Sequence, residues 1–176
     1  MWKLFAKSLA LGPLTEAPPP PEDADLAALG ERLRQTGRAR LGRSLAIREV
    51  DAGSCNGCEL EIHALNNPFY DVERFGIRFV ASPRHADVLL VTGPVTANMR
   101  EALLRTFLAT PDPKWVVAAG DCAGDCGVFA GSYALAGRVA DVVPVDLHIP
   151  GCPPTPRRLL QGLLALLETA ARPPAE

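Results

Sequence analysis

The chain has 176 residues, 48% of them hydrophobic and 22% charged, long enough for one domain with tails and apolar enough to bury a core. A formal net charge of −2 lacks the basic excess of a dedicated nucleic-acid binder, and no window approaches the run of roughly 18 apolar residues that crosses a bilayer. Five cysteines without a secretory signal point to reduced thiols committed to a metal and argue against a disulfide framework.

Residues 2–11 place Trp2, Phe5 and Leu9 at helical spacing, with Lys3 and Lys7 between them. Such a short amphipathic helix suits a membrane interface, and equally a protein surface on which it docks. Pro18 to Pro21 then form a stiff, extended linker. Asp25 to Arg40 reads as a helix with Leu26, Leu29 and Leu33 on one face. Arg32, Arg34, Arg38, Arg40 and Arg43 make this segment basic, which fits a solvated face or a contact with anionic lipid or an acidic subunit. Residues 1–43 are therefore expected to form an N-terminal extension and 44–172 an α/β domain.

From Ser44 onward short apolar runs alternate with helical patterns. Strands are predicted at Ala46–Val50, Ile77–Ala81, Val88–Thr92, Trp115–Ala119 and Val142–Val145, and helices at about Glu59–Asn66, Ala97–Ala109 and Thr155–Ala171. This alternation predicts a parallel sheet covered by helices, with any ligand held in loops beyond the carboxyl ends of the strands. Cysteines occupy three such loops: Cys55 and Cys58 after the first strand, Cys122 after the fourth, Cys152 after the fifth.

The first loop reads S-C-N-G-C, in which Gly57 tolerates the positive φ that such a wrapping loop often needs. Taken alone, C-x-x-C serves zinc, a redox dithiol or an iron–sulfur centre. A zinc ribbon would supply a second C-x-x-C, which is missing, although a zinc-stabilised interaction module stays open; a thioredoxin-like dithiol needs no remote cysteines. Cys152 lies in P-G-C-P-P, whose prolines remove backbone donors and stiffen the chain around one sulfur. Four thiolates over three loops are what an iron–sulfur cluster requires. Cys122 and Cys126 sit four apart in G-D-C-A-G-D-C-G, only one of them is needed, and spacing does not choose between them.

These segments, together with E-R-F-G-I-R-F-V-A-S-P-R-H-A-D-V-L-L-V-T-G-P-V-T and V-P-V-D-L-H-I-P-G-C-P-P-T-P, resemble one family over about Ile47 to Leu167. It is the small, cluster-bearing subunit shared by group 4 membrane-bound NiFe hydrogenases of the formate hydrogenlyase type and by respiratory complex I. The resemblance implies a flavodoxin-like α/β fold holding one [4Fe–4S] cluster on Cys55, Cys58, Cys122 and Cys152. It sets Cys126 where the family usually has glycine. Complex I homologues typically carry adjacent cysteines in the first loop, so the spacing of Cys55 and Cys58 resembles the hydrogenase branch; an equivalent subunit of a complex I-like, quinone-reducing oxidoreductase is the alternative. The implied partners are a large hydrogenase or complex I-type subunit, a ferredoxin-like iron–sulfur subunit and membrane-arm subunits. The implied place is peripheral, on the cytoplasmic side of the cell membrane. The N-terminal W-K-L-F-A-K-S-L-A-L-G-P-L-T-E is similar to the start of the ferredoxin-like subunit of such complexes, a departure for this subunit that strengthens a membrane-surface contact through 2–11.

The chain is thus expected to serve an oxidoreductase complex as an electron carrier with no complete active site of its own. Glu59 and Glu61 flank Cys58 and are candidates for a proton relay, against the commoner role of carboxylates in a helix's first turn. His63 is expected to be structural, Arg84 and His85 to line an interface or end a loop, and Asp146 and His148 to orient the last cysteine loop or face solvent.

Overall fold

A computed structural model describes residues 24–169. The amphipathic stretch 2–11 and the proline linker lie outside the described residues. The first helix among the described residues, α1 (Ala24–Leu41), repeats Leu26, Gly30, Leu33 and Gly37 along one stripe. Leu26 and Leu33 are buried, and Gly30 lies so close to Phe75 that an added Cβ would stand 2.5 Å from its ring. The helix therefore docks through small residues and leucines. Its charged face stays in solvent, where Arg34 pairs with Glu31 and Arg32 with Glu168, surface bridges that water and salt screen.

Seven strands follow: β1 (Leu45–Asp51), β2 (Ile77–Phe79), β3 (Val88–Thr92), β4 (Val95–Thr96), β5 (Trp115–Ala119), β6 (Leu135–Gly137) and β7 (Leu147–Ile149). Five of them form a parallel sheet in the order β2-β1-β3-β5-β7, while β4 and β6 make a small antiparallel ribbon. Discounting the ribbon, the order is the flavodoxin-like one, with its switch point between β1 and β3. The remaining helices are α2 (Gly57–Ala64), α3 (Ala97–Ala109), α4 (Asp121–Asp125) and α5 (Pro156–Thr169).

Side-chain alternation divides the core into two layers. Leu45, Ile47, Val88, Leu90, Trp115 and Val117 face α1, α2 and α5, whereas Leu89, Val91, Val116 and Ala118 face Leu103 of α3 and Ala123 of α4. Strands β3 and β5 are buried on both faces, which explains their unbroken apolar runs. Helix α5 presents Leu159, Leu160, Leu163, Leu164, Leu166 and Leu167 to the first layer; each fully buried leucine is worth about 1.5–3 kcal/mol.

The last strand is not where the apolar run predicted it. Val142–Val145 forms no strand; β7 begins at Leu147. Pro144 interrupts the run, and Val143 is apolar because it packs into the second core layer. The ribbon of β4 and β6 was not predicted at all.

Candidate metal centre

Each of the three cysteine loops leaves the carboxyl end of a parallel strand. After β1, Asp51 Oδ1 accepts the N–H groups of Gly53 and Ser54, both at 2.8 Å, and turns the chain. Ser54 Oγ accepts the Asn56 N–H at 3.0 Å and donates to the Glu59 carboxylate. The positive φ falls on Asn56, at 71°, and not on Gly57; asparagine tolerates this region because its short polar side chain can bond locally. Helix α2 starts at once, which sets Cys58 in its first turn and Cys55 just ahead of it.

The loops after β5 and β7 are tied to each other. Gly120 N–H donates to Ile149 O at 2.8 Å, Asp121 N–H to Gly151 O at 2.9 Å, and Gly151 N–H to Asp121 Oδ1 at 2.7 Å. His148 Nε2 lies 2.9 Å from Gly120 O, so His148 braces the Cys122 loop from the neighbouring strand. Asp146 acts elsewhere: its Oδ2 accepts the Val116 N–H at 2.7 Å and fixes the start of β7 against β5. Asp121 carries no motif signature beyond its place before Cys122, and sequence reading missed it.

A cavity of about 150 Å³ lies where these loops meet, lined by Cys55, Cys58, Cys122 and Cys152 among others. Cys126 is not in that lining. It occupies the left-handed region at φ 69°, beside Asp125, Asp141 and Arg138. Gly120, at φ +94°, forms part of the cradle: a Cβ there would stand 2.6 Å from Cys58 Sγ. All five thiols are free. Cys58 is 9% exposed, and burial, aided by Glu59 and the other three thiols of the cavity, pushes its pKa up to about 12. Burial followed by Cys152 and Cys55 raises that of Cys122. The thiols thus oppose one another's ionisation, and a cationic centre among them would reverse that sign. Among the described residues, no three His, Cys, Asp or Glu side chains surround a site for a single metal ion.

The two candidate relay carboxylates differ. Glu59 is 6% exposed; Ser54 reaches its Oε2, while its Oε1 is buried without a hydrogen-bond partner. Glu61 is half-buried, and neither carboxylate lines the cysteine cavity. His63 is exposed and borders a separate cavity with Arg48 and Glu49. There burial, then Glu59 and Asp51, raises the Glu49 pKa. Glu49 was also missed, since it sits within an apolar strand pattern. Arg84 and His85 form a turn near the amino ends of the strands, away from the cysteines.

Residues 55–166 match the family described as NADH ubiquinone oxidoreductase, 20 kDa subunit. The chain is 49% identical over 142 residues to formate hydrogenlyase subunit 7 of Escherichia coli, a match covering 78% of this chain and 56% of that protein. It therefore spans little more than half the length of that relative. It is 47% identical over 132 residues to the probable membrane-bound hydrogenase subunit mbhJ of Pyrococcus furiosus, covering 75% of this chain and 79% of that one. Among solved structures, a chain of the membrane-bound sulfane sulfur reductase, an archaeal respiratory membrane complex, superposes with a TM-score of 0.65 at 35% identity, over 77% of this chain and 74% of that one. A chain of an NAD+-reducing [NiFe]-hydrogenase shares the fold, with a TM-score of 0.56 at 21% identity over 76% of this chain and 96% of that one.

Proposed function

The chain belongs to the family of the 20 kDa subunit of NADH ubiquinone oxidoreductase, and from that premise we propose that it is the electron-transfer subunit of a membrane-bound hydrogenase-like complex. In this reading Cys55, Cys58, Cys122 and Cys152 hold one [4Fe–4S] cluster at the boundary with a large catalytic subunit. The observation that carries the reading is the convergence of those four thiols, from three loops on one sheet edge, on one cavity. An all-thiol donor set is that of an iron–sulfur centre, and the space left by Gly120 beside Cys58 Sγ supports the fit. When bound, such a group supplies one-electron exchange at a potential that its surroundings tune.

The chain's own residues then have definite tasks. Asp51, Ser54 and Asn56 shape the first loop, and Asp121 and His148 lock the second to the third. Burial of Cys58 keeps water from one side of the cavity. Glu59 is the better relay candidate: it is buried next to Cys58 in sequence, and only one of its oxygens is engaged by the protein. The electron partner on the other side is a ferredoxin-like iron–sulfur subunit. The complex lies on the cytoplasmic face of the membrane, with membrane-arm subunits beneath; no described helix is long and apolar enough to cross a bilayer. The domain division at residue 43 belongs to the same proposal, with residues 2–11 touching the membrane surface.

The hydrogenase branch is preferred because two relatives at 49% and 47% identity are named as subunits of a formate hydrogenlyase and a membrane-bound hydrogenase. Anaerobic purification with native partners, with iron and nickel quantitation and EPR of the reduced complex, tests it. About four irons on this chain and nickel in the large partner are expected. The same irons without nickel would shift the reading to a quinone-linked complex, and zinc with no paramagnetic signal would overturn electron transfer. Replacing Cys152→Ser is expected to lower iron content; full iron with an unchanged reduced spectrum would remove Cys152 from the ligand set.

A further inference from the structure

At the opposite end of the sheet, a cavity of about 320 Å³ opens beside the amino ends of β1, β3 and β5. Arg40, Arg43, Arg78 and Arg84 line it against only two carboxylates, Asp87 and Asp112. Both carboxylates are engaged. Buried Asp87 takes a two-pronged bond from Arg43, with Nη1 to Oδ2 at 2.8 Å, and accepts the Ala46 N–H at 2.9 Å; Asp112 pairs with Lys114 at 3.4 Å. Arg43 is therefore fixed in place by the fold. The side chains of Arg78 and Arg84 are exposed and make no hydrogen bond or ion pair with the described residues. Trp115, Pro111 and Pro113 supply an apolar wall.

Arg40 donates to the Glu168 carbonyl at 3.1 Å, and of the three other guanidinium groups around the space two are unengaged, an excess of forked donors. A single carboxylate offers two oxygens and one charge, whereas a phosphate group offers three or more acceptor oxygens and a charge approaching two. Arginine forks match that geometry bidentately. The volume also exceeds what a bare ion requires and falls within the range of small-ligand sites. We infer that this cavity is a phosphate-binding site, with Arg78 and Arg84 as the binding groups and Arg43 as a preorganised third. The phosphate belongs either to a free phosphate compound or to the headgroup of an anionic phospholipid. The site stands apart from the cysteine edge by the length of the strands and does not depend on the cluster reading.

The test uses the full chain loaded with iron and sulfide, as wild type, as the R78Q/R84Q double variant, and as R105Q, which removes an exposed arginine paired with Glu101 elsewhere. Calorimetric titration with inorganic phosphate probes the free ligand. Flotation with phosphatidylcholine vesicles, with and without phosphatidylglycerol, probes the headgroup. Binding of inorganic phosphate weakened at least about tenfold in R78Q/R84Q, and unchanged in R105Q, would support the site and assign a free phosphate. Loss in R78Q/R84Q of the extra flotation due to phosphatidylglycerol, again with R105Q unchanged, would support it and assign the lipid. Equal iron content and an equal urea midpoint in wild type and R78Q/R84Q establish that the fold is intact. Wild type that binds neither probe, or a double variant that binds both as wild type does, would overturn the inference.

Discussion

Replacing Gly120 with alanine tests how the cysteine cavity is built. The new methyl would stand 2.6 Å from Cys58 Sγ, about 1 Å inside ordinary carbon–sulfur contact, at a backbone φ of +94°. Cys58 has little room to retreat, since it is buried in the first turn of α2, and Gly120 is held by hydrogen bonds to Ile149 and His148. The backbone at φ 94° and ψ 155°, a region essentially confined to glycine, costs about 1–3 kcal/mol for alanine and the overlap about 1–3, offset by about 0.5–1 from the lost flexibility of glycine in the unfolded chain. The net expectation is a destabilisation of about 1–5 kcal/mol, read as a lower urea midpoint of the metal-free full chain. Gly131→Ala is the control, because its φ is +81° but nothing lies within 4 Å of the added Cβ. It should show the cost of a positive φ without any overlap. Iron content after anaerobic purification should fall for Gly120→Ala and not for Gly131→Ala. Equal midpoints for the two variants, with equal iron, would refute the claim that Gly120 is there to make room for the Cys58 sulfur.

Cys126→Gly should leave iron content unchanged and be neutral to stabilising by up to about 1 kcal/mol, because it relieves a left-handed non-glycine residue at φ 69° while adding chain entropy; a loss of iron would place Cys126 among the ligands. Glu49 has its pKa raised by burial, then by Glu59 and Asp51. Its protonated form is therefore favoured by folding: its contribution is intact below the unfolded carboxylate pKa and is lost as pH rises through the higher folded value. Glu49→Gln should raise stability relative to wild type at neutral pH and lose that advantage in acid, where wild-type Glu49 is protonated in both states; urea midpoints at the two pH values measure this, and a pH-independent difference would contradict it. Glu59→Gln should keep the iron and the reduced spectrum while lowering turnover of the assembled complex, and unchanged turnover would end the relay reading.

What could be read from the sequence was what neighbouring residues determine. The cysteine loops were legible because C-x-x-C and P-G-C-P-P fix their own local chemistry, β3 and β5 because each is an unbroken apolar run, and α3 because it is long enough to show the helical period. The strand placed at Val142–Val145 failed because an apolar run reports burial and not pairing: Val143 packs under α3, and pairing waits until Leu147, beyond Pro144. The β4 and β6 ribbon is too short for any period to show, and its position follows from contacts such as Ala97 N–H to Ala134 O, 37 positions on. The arginines between Arg32 and Arg43 were visible as a basic segment. Their division into surface pairs with Glu31 and Glu168 and a pocket role with Arg78 and Arg84 depends on tertiary placement that no local pattern encodes.

The same parallel sheet explains why the two charged features sit where they do. Parallel strands send every crossover loop of one kind to one edge, so cysteines far apart in sequence, at 55, 58, 122 and 152, meet at the carboxyl edge without any loop longer than a few residues. The amino edge receives the opposite connections. There Asp87 closes the start of β3 onto Ala46, and its carboxylate recruits Arg43 as the compensating charge that a buried aspartate needs. Arg78 and Arg84, both exposed, have no such structural partner among the described residues. The fold accounts for Arg43. The phosphate proposed for this cavity would give the other two a partner.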